Sequence, residues 1–550
     1  MPNPKQEEKK PSANKEAKFC TTSGISLKSF YSPEDVKINY QGDLQDPGEY
    51  PLTRGIFPSG YRQFAWQNAQ ISGYGLPEEA NQRERYIRDK GASGYGGKDS
   101  INFAFDNPCQ NGYDCDHPLS KYEVGTGGIF INSIDDAEKI FDGFKLDNLN
   151  VGFIIDTPGP IILAIYVALA DKLGVPRSKL HGIVCNSPWR RYYTGTALTF
   201  PPKHALRVAV DCITWACKEV PNFNTYSING YDNREGGATA AQEMAFAIAP
   251  TTEVTKACMG KGLGVDDFIS NFNFFLSFHN DFFEEIAKIR AGRRIWAKIV
   301  KERFGAKNIK SCRMKVHLQT AGSSLTAQEP LNNIARVAIQ TLGAVMSGVQ
   351  SISTDSYDEA VSIPTEEAVR VAIKTQKIVE HESGLVNVAD PLGGSYYVEY
   401  LTNEMEKAIW KYINTIEAMG GYMAALEKGY MEKEITEAAL KYQREIEDRE
   451  KIIVGVNRYV EEQKINAPPF DYNPRIREIA SQRLQKFKKE RDNLKVKEIL
   501  TELKEAAEDD KPLMPLFIEA AKARTTMGEM MSVLKEVFGV YHPQNILPTG

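Results

Sequence analysis

The amino-acid sequence predicts an α/β fold: a (β/α)8 barrel (TIM barrel) with an N-terminal arm and a C-terminal helical region. Between about residues 71 and 400, short β-prone runs alternate with amphipathic helical stretches, which is typical of a parallel sheet with crossover helices. The 550 residues also exceed one ordinary domain, and a barrel with a helical appendage accounts for that length. A doubly wound open sheet is the alternative.

The chain divides into four predicted regions. Residues 1–25 are rich in Lys, Glu, Asn and Ser, so we expect a mobile tail. Residues 26–70 carry Tyr, Phe, Pro and Gly without clear periodicity, which suggests an arm laid over a larger body. The barrel spans 71–400. The helical region spans 401–550, with charged helices over 401–450, 474–508 and 513–537 and a linker marked by Pro468, Pro469 and Pro474.

Within the barrel, β-prone composition predicts strands and the helical period predicts helices. The predicted strands are 100–105, 150–155, 182–185, 225–230 and 315–320. The predicted helices are 134–143, 160–173, 203–219, 237–248, 278–304, 330–346 and 364–380.

Composition excludes several classes of protein. The net charge of −5 makes a nucleic-acid partner unexpected, and no apolar run reaches the roughly 18–20 residues that span a membrane. The charged N-terminus lacks the apolar core of a signal peptide. Eight cysteines form no CxxC pair, which indicates reduced thiols. We therefore expect a cytoplasmic protein.

Generic catalytic motifs do not identify a reaction. The seven histidines form neither HExxH nor HxH, so no metal site is predicted. The GxSxG pattern of hydrolases around a nucleophile is absent as well.

Longer strings are far more specific. They include AFDNPCQNGYDCDHP (104–118), SINGYDNREGGATAAQEMAFAIA (227–249), VHLQTAGSSLTAQEPLNNIARVAIQ (316–340) and ESGLVNVADPLGGSYYVEYLT (382–402). These strings resemble the large, substrate-binding chain of the adenosylcobalamin-dependent acyl-CoA mutases, the methylmalonyl-CoA mutase family. The matching strings follow one another in the same order as in that family, over about residues 45–540. The resemblance implies a radical rearrangement of an acyl-CoA. It also implies a barrel threaded by the pantetheine arm, with the acyl group at the C-terminal face against the cobalamin.

The family's cobalamin domain carries a DxHxxG motif, and none of the seven histidines here fits it. The resemblance therefore implies that adenosylcobalamin is bound mainly by a separate small subunit. We expect a heteromer of two large and two small chains, and a GTPase chaperone is a further expected partner.

The resemblance also assigns cofactor-facing positions. Glu235, Gln319 and Glu359 match residues that face the adenosyl group or the corrin, and Asp355 replaces an asparagine there. Gln350 is a further candidate for cofactor binding. His317 matches a histidine beside substrate and cofactor, and we predict a catalytic role for it.

The acyl pocket departs from the family pattern. A tyrosine and a carboxylate-clamping arginine are replaced by Ile71 and Gly195, and the pocket has lost bulk at Ser323, where the family has tryptophan. An unpaired buried carboxylate is costly, so methylmalonyl-CoA is expected to be a poor substrate unless another arginine reaches in. The candidate arginines are Arg62, Arg190, Arg191 and Arg234. The remaining substrate-binding positions are Phe57, Ser59, Cys185 and Asn273.

Asp232 is the sharpest departure, because the family has GYH where this chain has GYDN. A protonated Asp232 could donate a hydrogen bond to the thioester oxygen, or an ionised one could accept from a substrate hydroxyl. The leading hypothesis is a mutase for a branched, bulky or hydroxylated acyl group, with Asp232 catalytic. The alternatives are an inactive scaffold that binds acyl-CoA or a cobalamin subunit, and a methylmalonyl-CoA mutase with a rebuilt clamp.

Overall fold

The computed structural model describes residues 19–94, 99–194, 196, 198–461 and 473–542, an α/β arrangement of parallel strands and many helices. Three predictions fall wholly or partly outside these ranges: residues 1–18 of the tail, Gly195 in the acyl pocket, and Pro468 and Pro469 of the linker. The other predicted site residues all lie inside them.

In the described ranges, ten strands form two five-stranded sheets in which all pairings are parallel. One sheet has the order β1-β10-β9-β8-β7 and the other β2-β3-β4-β5-β6. The strands are β1 (Gln67–Asn68), β2 (Ile71–Ser72), β3 (Asp99–Ala104), β4 (Leu149–Ile154), β5 (His181–Val184), β6 (Phe223–Asn224), β7 (Tyr226–Asn229), β8 (Phe272–Phe278), β9 (Lys315–Thr320) and β10 (Ser351–Ser353). Two short stretches, 67–72 and 223–229, each contain two strands, one in each sheet.

Nineteen α-helices of the described chain surround and extend the sheets. Those up to β10 are α1 (Pro77–Asp89), α2 (Asn107–Gln110), α3 (Ile134–Ile140), α4 (Gly159–Lys172), α5 (Trp189–Tyr193), α6 (Pro202–Glu219), α7 (Tyr231–Glu235), α8 (Ala240–Gly260), α9 (Val265–Phe268), α10 (Phe282–Lys298) and α11 (Asn332–Met346). The rest are α12 (Glu366–Glu382), α13 (Tyr396–Ala418), α14 (Tyr422–Glu427), α15 (Tyr430–Glu447), α16 (Ile476–Glu490), α17 (Asn493–Glu508), α18 (Met514–Lys522) and α19 (Met527–Phe538).

The predicted alternation of strands and helices is confirmed, with two main differences. The predicted helix 278–304 begins only at Phe282, because residues 272–278 form β8 instead. All seven residues of that strand are buried, so its sequence FNFFLSF shows no alternation to distinguish strand from helix. The predicted helix 237–248 continues to Gly260 as α8, past Pro250.

The two faces of the sheets differ in character. One packs against helices through aromatic pairs such as Phe153 with Tyr166 and Phe274 with Trp296, whose ring centroids lie 5.4 and 5.0 Å apart. Because side chains alternate along a strand, the residues between these aromatic positions point the other way. We call this opposite side the polar inner face; its residues include Gln67, Ser100, Asn102, Asn150, Ser227, Asn273, Lys315, His317 and Ser351.

Hydrogen bonds on the polar inner face connect the two sheets. Gln67 Nε2 donates to Ser100 Oγ at 2.7 Å, and Asn150 Nδ2 donates to Gln67 Oε1 at 3.5 Å. Gln67 belongs to β1, whereas Ser100 and Asn150 belong to β3 and β4 of the other sheet. Gln67 therefore joins the polar sides of the two sheets.

Buried arginines of α10 hold the N-terminal arm. Arg293 donates to the carbonyl oxygens of Leu52 at 3.1 Å, Thr53 at 2.9 Å and Ser347 at 2.6 Å. Arg294 Nε donates to Thr53 Oγ1 at 3.1 Å. The segment around residues 52–54 is thus bound to the body by satisfied hydrogen bonds.

Within the described ranges, the helices are all too short or too polar to cross a membrane. All eight cysteines lie in these ranges and none forms a disulfide bond.

Candidate active site

Acidic side chains gather where the strands of one sheet end. We call Glu235, Asp355 and Glu359 the carboxylate cluster. Glu235 ends α7 just after β7, and Asp355 follows β10 by two residues. Since the strands are parallel, their carboxyl ends share one edge of the sheet, the edge at which barrel enzymes carry their chemistry.

Gln319 and Ser323 tie the cluster together. Gln319 Nε2 donates to Asp355 Oδ1 at 2.7 Å and to the Tyr231 hydroxyl at 3.1 Å. The Ser323 backbone N–H donates to Glu235 Oε2 at 2.6 Å, and Ser323 Oγ donates to Glu235 Oε1 at 3.1 Å. Four predicted positions, Glu235, Gln319, Ser323 and Asp355, are therefore neighbours in space.

Gly322 leaves a small space at the centre of this group. A Cβ at Gly322 would lie 3.2 Å from Glu235 Oε2, 3.4 Å from the Tyr231 hydroxyl and 3.5 Å from Asp355 Oδ2. Asp355 Oδ2 is buried and has no hydrogen-bond partner in the chain. The space therefore presents an unpaired polar atom.

Burial dominates the electrostatics of the cluster. It raises the pKa of Glu235 to about 7, against the opposing effect of the two hydrogen bonds from Ser323. Burial, together with Asp358 and Glu235, raises the pKa of Glu359 to about 7. The pKa of Asp355 is raised well above its usual value by burial and then by Glu359. The cluster thus retains protons close to neutral pH.

His317 lies in β9 on the polar inner face. Its Nδ1 is 2.8 Å from Ser351 Oγ, and its Nε2 is buried without a partner. Burial lowers the pKa of the ring to about 3, so the imidazole is neutral. The ring packs edge-on against Phe275 at 4.8 Å, and Phe275 stacks on Tyr231 at 5.2 Å. His317 is therefore connected to the carboxylate cluster through two aromatic rings.

A second charged group, the arginine triad, consists of Asp156, Arg190 and Asp232. Asp156 follows β4, Arg190 lies in α5 and Asp232 lies in α7. Arg190 Nε is 2.7 Å from Asp156 Oδ2, and Arg190 Nη1 pairs with Asp232 Oδ2. The exposed fraction of the side chain rises from 0% at Asp156 through 10% at Arg190 to 34% at Asp232. The open end of the triad is therefore the Asp232 carboxylate.

Cys185 connects the triad to the polar inner face. It follows β5, its carbonyl oxygen accepts from the Ser227 N–H at 2.8 Å, and Ser227 belongs to the inner face. Burial and then the neighbouring Asp156 raise the pKa of the thiol to about 12. Cys185 is thus a neutral wall residue and not a thiolate nucleophile.

The four arginines considered as a clamp have different surroundings. Arg234 is buried and pairs with Glu285 at 3.1 Å. Arg191 Nη2 reaches Asn107 Oδ1 at 3.4 Å, and Arg62 ends a short 3-10 helix of the arm. Of the four, Arg190 is the one that pairs with Asp232.

A cavity of about 200 Å³ lies at the opposite, amino-terminal edge of the strands. Phe57, Phe64 and Trp66 of the arm line it together with Gln350, which precedes β10. The Gln350 side chain accepts from the Val316 N–H at 2.9 Å and donates to the Gly348 carbonyl at 3.0 Å. The structure therefore separates Gln350 from the carboxylate cluster and places it with Phe57.

The remaining predicted positions are spread between these sites. Ile71 lies in β2 and pairs in register with Asn102. Asn273 lies on the polar inner face, and its Oδ1 is buried without a partner. Ser59 lies in the arm, directly before the 3-10 helix Gly60–Arg62.

Sequence reasoning missed Asp156 and Tyr231. Asp156 directly follows a buried strand at its carboxyl end, a position that often carries function in parallel sheets, so a signal was present. Tyr231 is adjacent to Asp232, and its contact with Gln319 depends on the fold. Within the described residues, no group of three or more His, Cys, Asp or Glu side chains is arranged to hold a metal ion.

Comparison with known proteins agrees with this geometry. The family model for methylmalonyl-CoA mutase matches residues 20–540. The chain is 38% identical over 536 residues to the 2-hydroxyisobutanoyl-CoA mutase large subunit of Aquincola tertiaricarbonis, covering 97% of this chain and 94% of that one. It is 37% identical to methylmalonyl-CoA mutase of Rhizobium meliloti (strain 1021) over 525 residues, 95% of this chain and 72% of that relative. It is 36% identical to mitochondrial methylmalonyl-CoA mutase of Homo sapiens over 535 residues, 96% and 70% of the two chains. The chain belongs to the methylmalonyl-CoA mutase family.

Proposed function

We propose that this protein is the large subunit of a coenzyme B12-dependent acyl-CoA mutase, an isomerase that rearranges the carbon skeleton of an acyl-CoA. The supporting observation is the polar inner face, which leads to the charged groups at the carboxyl edge of the strands. A packed barrel core is dominated by branched apolar side chains. Polar residues such as Asn102 and Asn273 suit a path for a polar, extended ligand.

We infer that the two sheets are halves of one closed (β/α)8 barrel. If stretches 67–72 and 223–229 each count as a single strand, the ten short strands reduce to eight in an unbroken ring of pairings. The hydrogen bonds from Gln67 to Ser100 and from Asn150 to Gln67 support closure. The arm over 26–70 and the helices after residue 400 are then additions to the barrel.

The coenzyme A tail would enter through the cavity of the arm. Phe57, Phe64 and Trp66 offer flat apolar surfaces for an adenine ring. Arg313 lies 5.4 Å from the Phe57 ring centre and supplies positive charge for phosphates. Gln350 belongs to this end, so we assign it to the coenzyme A path in place of cofactor binding.

The residues around Gly322 fit the adenosyl part of adenosylcobalamin. An adenosyl group carries hydroxyls and an amino group, and the side chains around Gly322 offer carboxyl oxygens, among them the unpartnered Asp355 Oδ2. Glu235, Gln319, Asp355 and Glu359 would hold it. When bound, the cofactor supplies the radical that takes hydrogen from the acyl group. His317 would contact the thioester from the inner face through its unpartnered Nε2.

A separate small subunit would carry most of the cobalamin. The relative from Aquincola tertiaricarbonis is named a large subunit, which supports a partner of this kind. A heteromer of two large and two small chains, a GTPase chaperone and a cytoplasmic location stay predictions.

The acyl group is proposed to be branched, bulky or hydroxylated. The name of the same relative refers to a branched, hydroxylated acyl group. Methylmalonyl-CoA would need a free arginine for its carboxylate, and Arg190 already contacts both Asp156 and Asp232. An inactive scaffold is the other candidate, favoured by the loss of the GYH histidine.

The test combines the chain with a DxHxxG-bearing small chain from the same organism and adenosylcobalamin. Branched, hydroxylated, aromatic and dicarboxylic acyl-CoAs are incubated, and isomerised products are resolved by chromatography with mass detection. A product from a bulky or hydroxylated acyl-CoA, with methylmalonyl-CoA inert, is the expected result. Turnover of methylmalonyl-CoA would support a rebuilt clamp. Absence of any product, with the small chain bound, would support the scaffold.

A further inference from the structure

The arginine triad carries more carboxylates than cations. One guanidinium, that of Arg190, lies between two carboxylates, Asp156 and Asp232, so the triad has one surplus negative charge when both carboxylates are ionised. Asp156 is fully buried behind Arg190, whereas the Asp232 side chain is 34% exposed. Asp232 is thus the part of the triad that a ligand can reach.

Asp232 lies where the acyl group is proposed to sit. Its neighbour Tyr231 reaches Gln319 of the carboxylate cluster, on one side. On the other side, Cys185 joins the triad to Ser227 of the polar inner face. A ligand that follows this face past His317 to the carboxyl edge of the strands therefore reaches the end of the sheet at which Asp232 lies.

An ionised carboxylate held in this way discriminates between acyl groups. It accepts hydrogen bonds and donates none, so a substrate hydroxyl can pair with it. A second carboxylate on the substrate would meet a negative charge in place of an open guanidinium. A purely hydrocarbon acyl group would remove water from Asp232 without replacing its hydrogen bonds, which is costly.

We propose that Asp232, oriented by Arg190 and Asp156, is a specificity residue that selects a hydroxyl-bearing acyl-CoA and rejects an acyl-CoA with a second carboxylate. This inference rests on the proposed function, because it requires an acyl-CoA in the barrel. It also selects the hydrogen-bond acceptor role of Asp232 over the protonated donor role.

The test measures binding of thioesters to the chain by isothermal titration calorimetry. The probes are 2-hydroxyisobutyryl-CoA, isobutyryl-CoA, methylmalonyl-CoA and coenzyme A itself. The first two differ only in the hydroxyl, so their ratio isolates its contribution. Asp232→Asn removes the charge and keeps the shape. Asp510→Asn is the matched control, because Asp510 is also paired with an arginine, Arg207 at 2.7 Å, but is 64% exposed.

The wild-type chain is expected to bind the hydroxylated probe about tenfold or more tightly than isobutyryl-CoA, the factor that a hydrogen bond to a charged group supplies. In Asp232→Asn that ratio should fall, and methylmalonyl-CoA should bind more tightly than to wild type because Arg190 is released. Asp510→Asn should behave as wild type.

Equal binding of the two matched probes, or unchanged ratios in Asp232→Asn, would overturn the inference and leave the proposed function standing. If neither coenzyme A nor any thioester binds, the proposed function fails, and this inference fails with it.

Discussion

Replacing Glu235 by glutamine is expected to remove a pH-dependent cost of folding. Burial raises the pKa of Glu235 from 4.5 to about 7, so between these values the folded chain holds the proton more tightly than the unfolded chain. The stabilisation from this acid is therefore complete below about pH 4.5 and is lost as the pH rises to 7. The difference between the two pKa values, 4.5 and about 7, corresponds to about 3 kcal/mol of unfolding free energy.

The assay is urea unfolding of wild type and Glu235→Gln at pH 5 and pH 8. From pH 5 to pH 8, the free energy of unfolding of the variant should rise by about 2 kcal/mol relative to that of wild type. The difference is smaller than the full interval because wild type has already lost part of its stabilisation at pH 5. Any cost from the altered hydrogen bonds to Ser323 is the same at both pH values and cancels in the comparison. Glu219→Gln, at a surface carboxylate paired with Arg177, is the control for the substitution itself. The same difference between Glu235→Gln and wild type at both pH values would refute the reasoning.

Three further predictions concern the inner face, the cofactor space and the arm. Because burial lowers the pKa of His317 to about 3, its ring proton signals in NMR should not titrate between pH 5 and 8; a midpoint in that range would contradict its burial. Gly322→Ala should lower cobalamin-dependent turnover about tenfold or more with little change in unfolding midpoint, because the methyl group fills the space beside Glu235. Gly127→Ala is the control, because a Cβ at Gly127 would have no other atom within 4 Å. Equal turnover of the two variants would show that the space beside Gly322 is not used. Arg293→Met leaves the buried carbonyl oxygens of Thr53 and Ser347 without their donor, at about 1–3 kcal/mol each, so limited proteolysis should cut residues 40–60 faster than in Arg303→Met, an exposed position just beyond α10. The Leu52 carbonyl oxygen loses Arg293 but keeps the Gly55 N–H at 3.2 Å. Equal cleavage of the two variants would mean that Arg293 does not hold the arm.

The alternation of strands and helices could be predicted because half-buried strands and amphipathic helices leave different periods in the sequence. The prediction failed at β8, where burial of both faces removes the alternation of apolar and polar residues along the strand. The prediction also missed β1, β2, β6 and β10, which are two or three residues long and are defined by their pairing partners.

The candidate site was predictable where one short segment carries several of its residues. Gln319 and Ser323 lie four residues apart on the end of β9 and the turn after it, and both contact the carboxylate cluster. The arginine triad was not predictable, because Asp156, Arg190 and Asp232 come from three separate segments: the stretch after β4, α5 and α7. Four arginines could have served as the clamp, and only the fold shows that Arg190 is the one that pairs with Asp232.

The attachment of the arm to α10 constrains the order in which the protein can form on the ribosome. Leu52 is synthesised 241 residues before Arg293, the side chain that binds its carbonyl oxygen. At roughly 5–20 residues per second, the arm waits on the order of ten seconds or more for its binding site. The segment made first is thus among the last to be ordered, and the apolar wall of Phe57, Phe64 and Trp66 is exposed to other nascent chains during that interval.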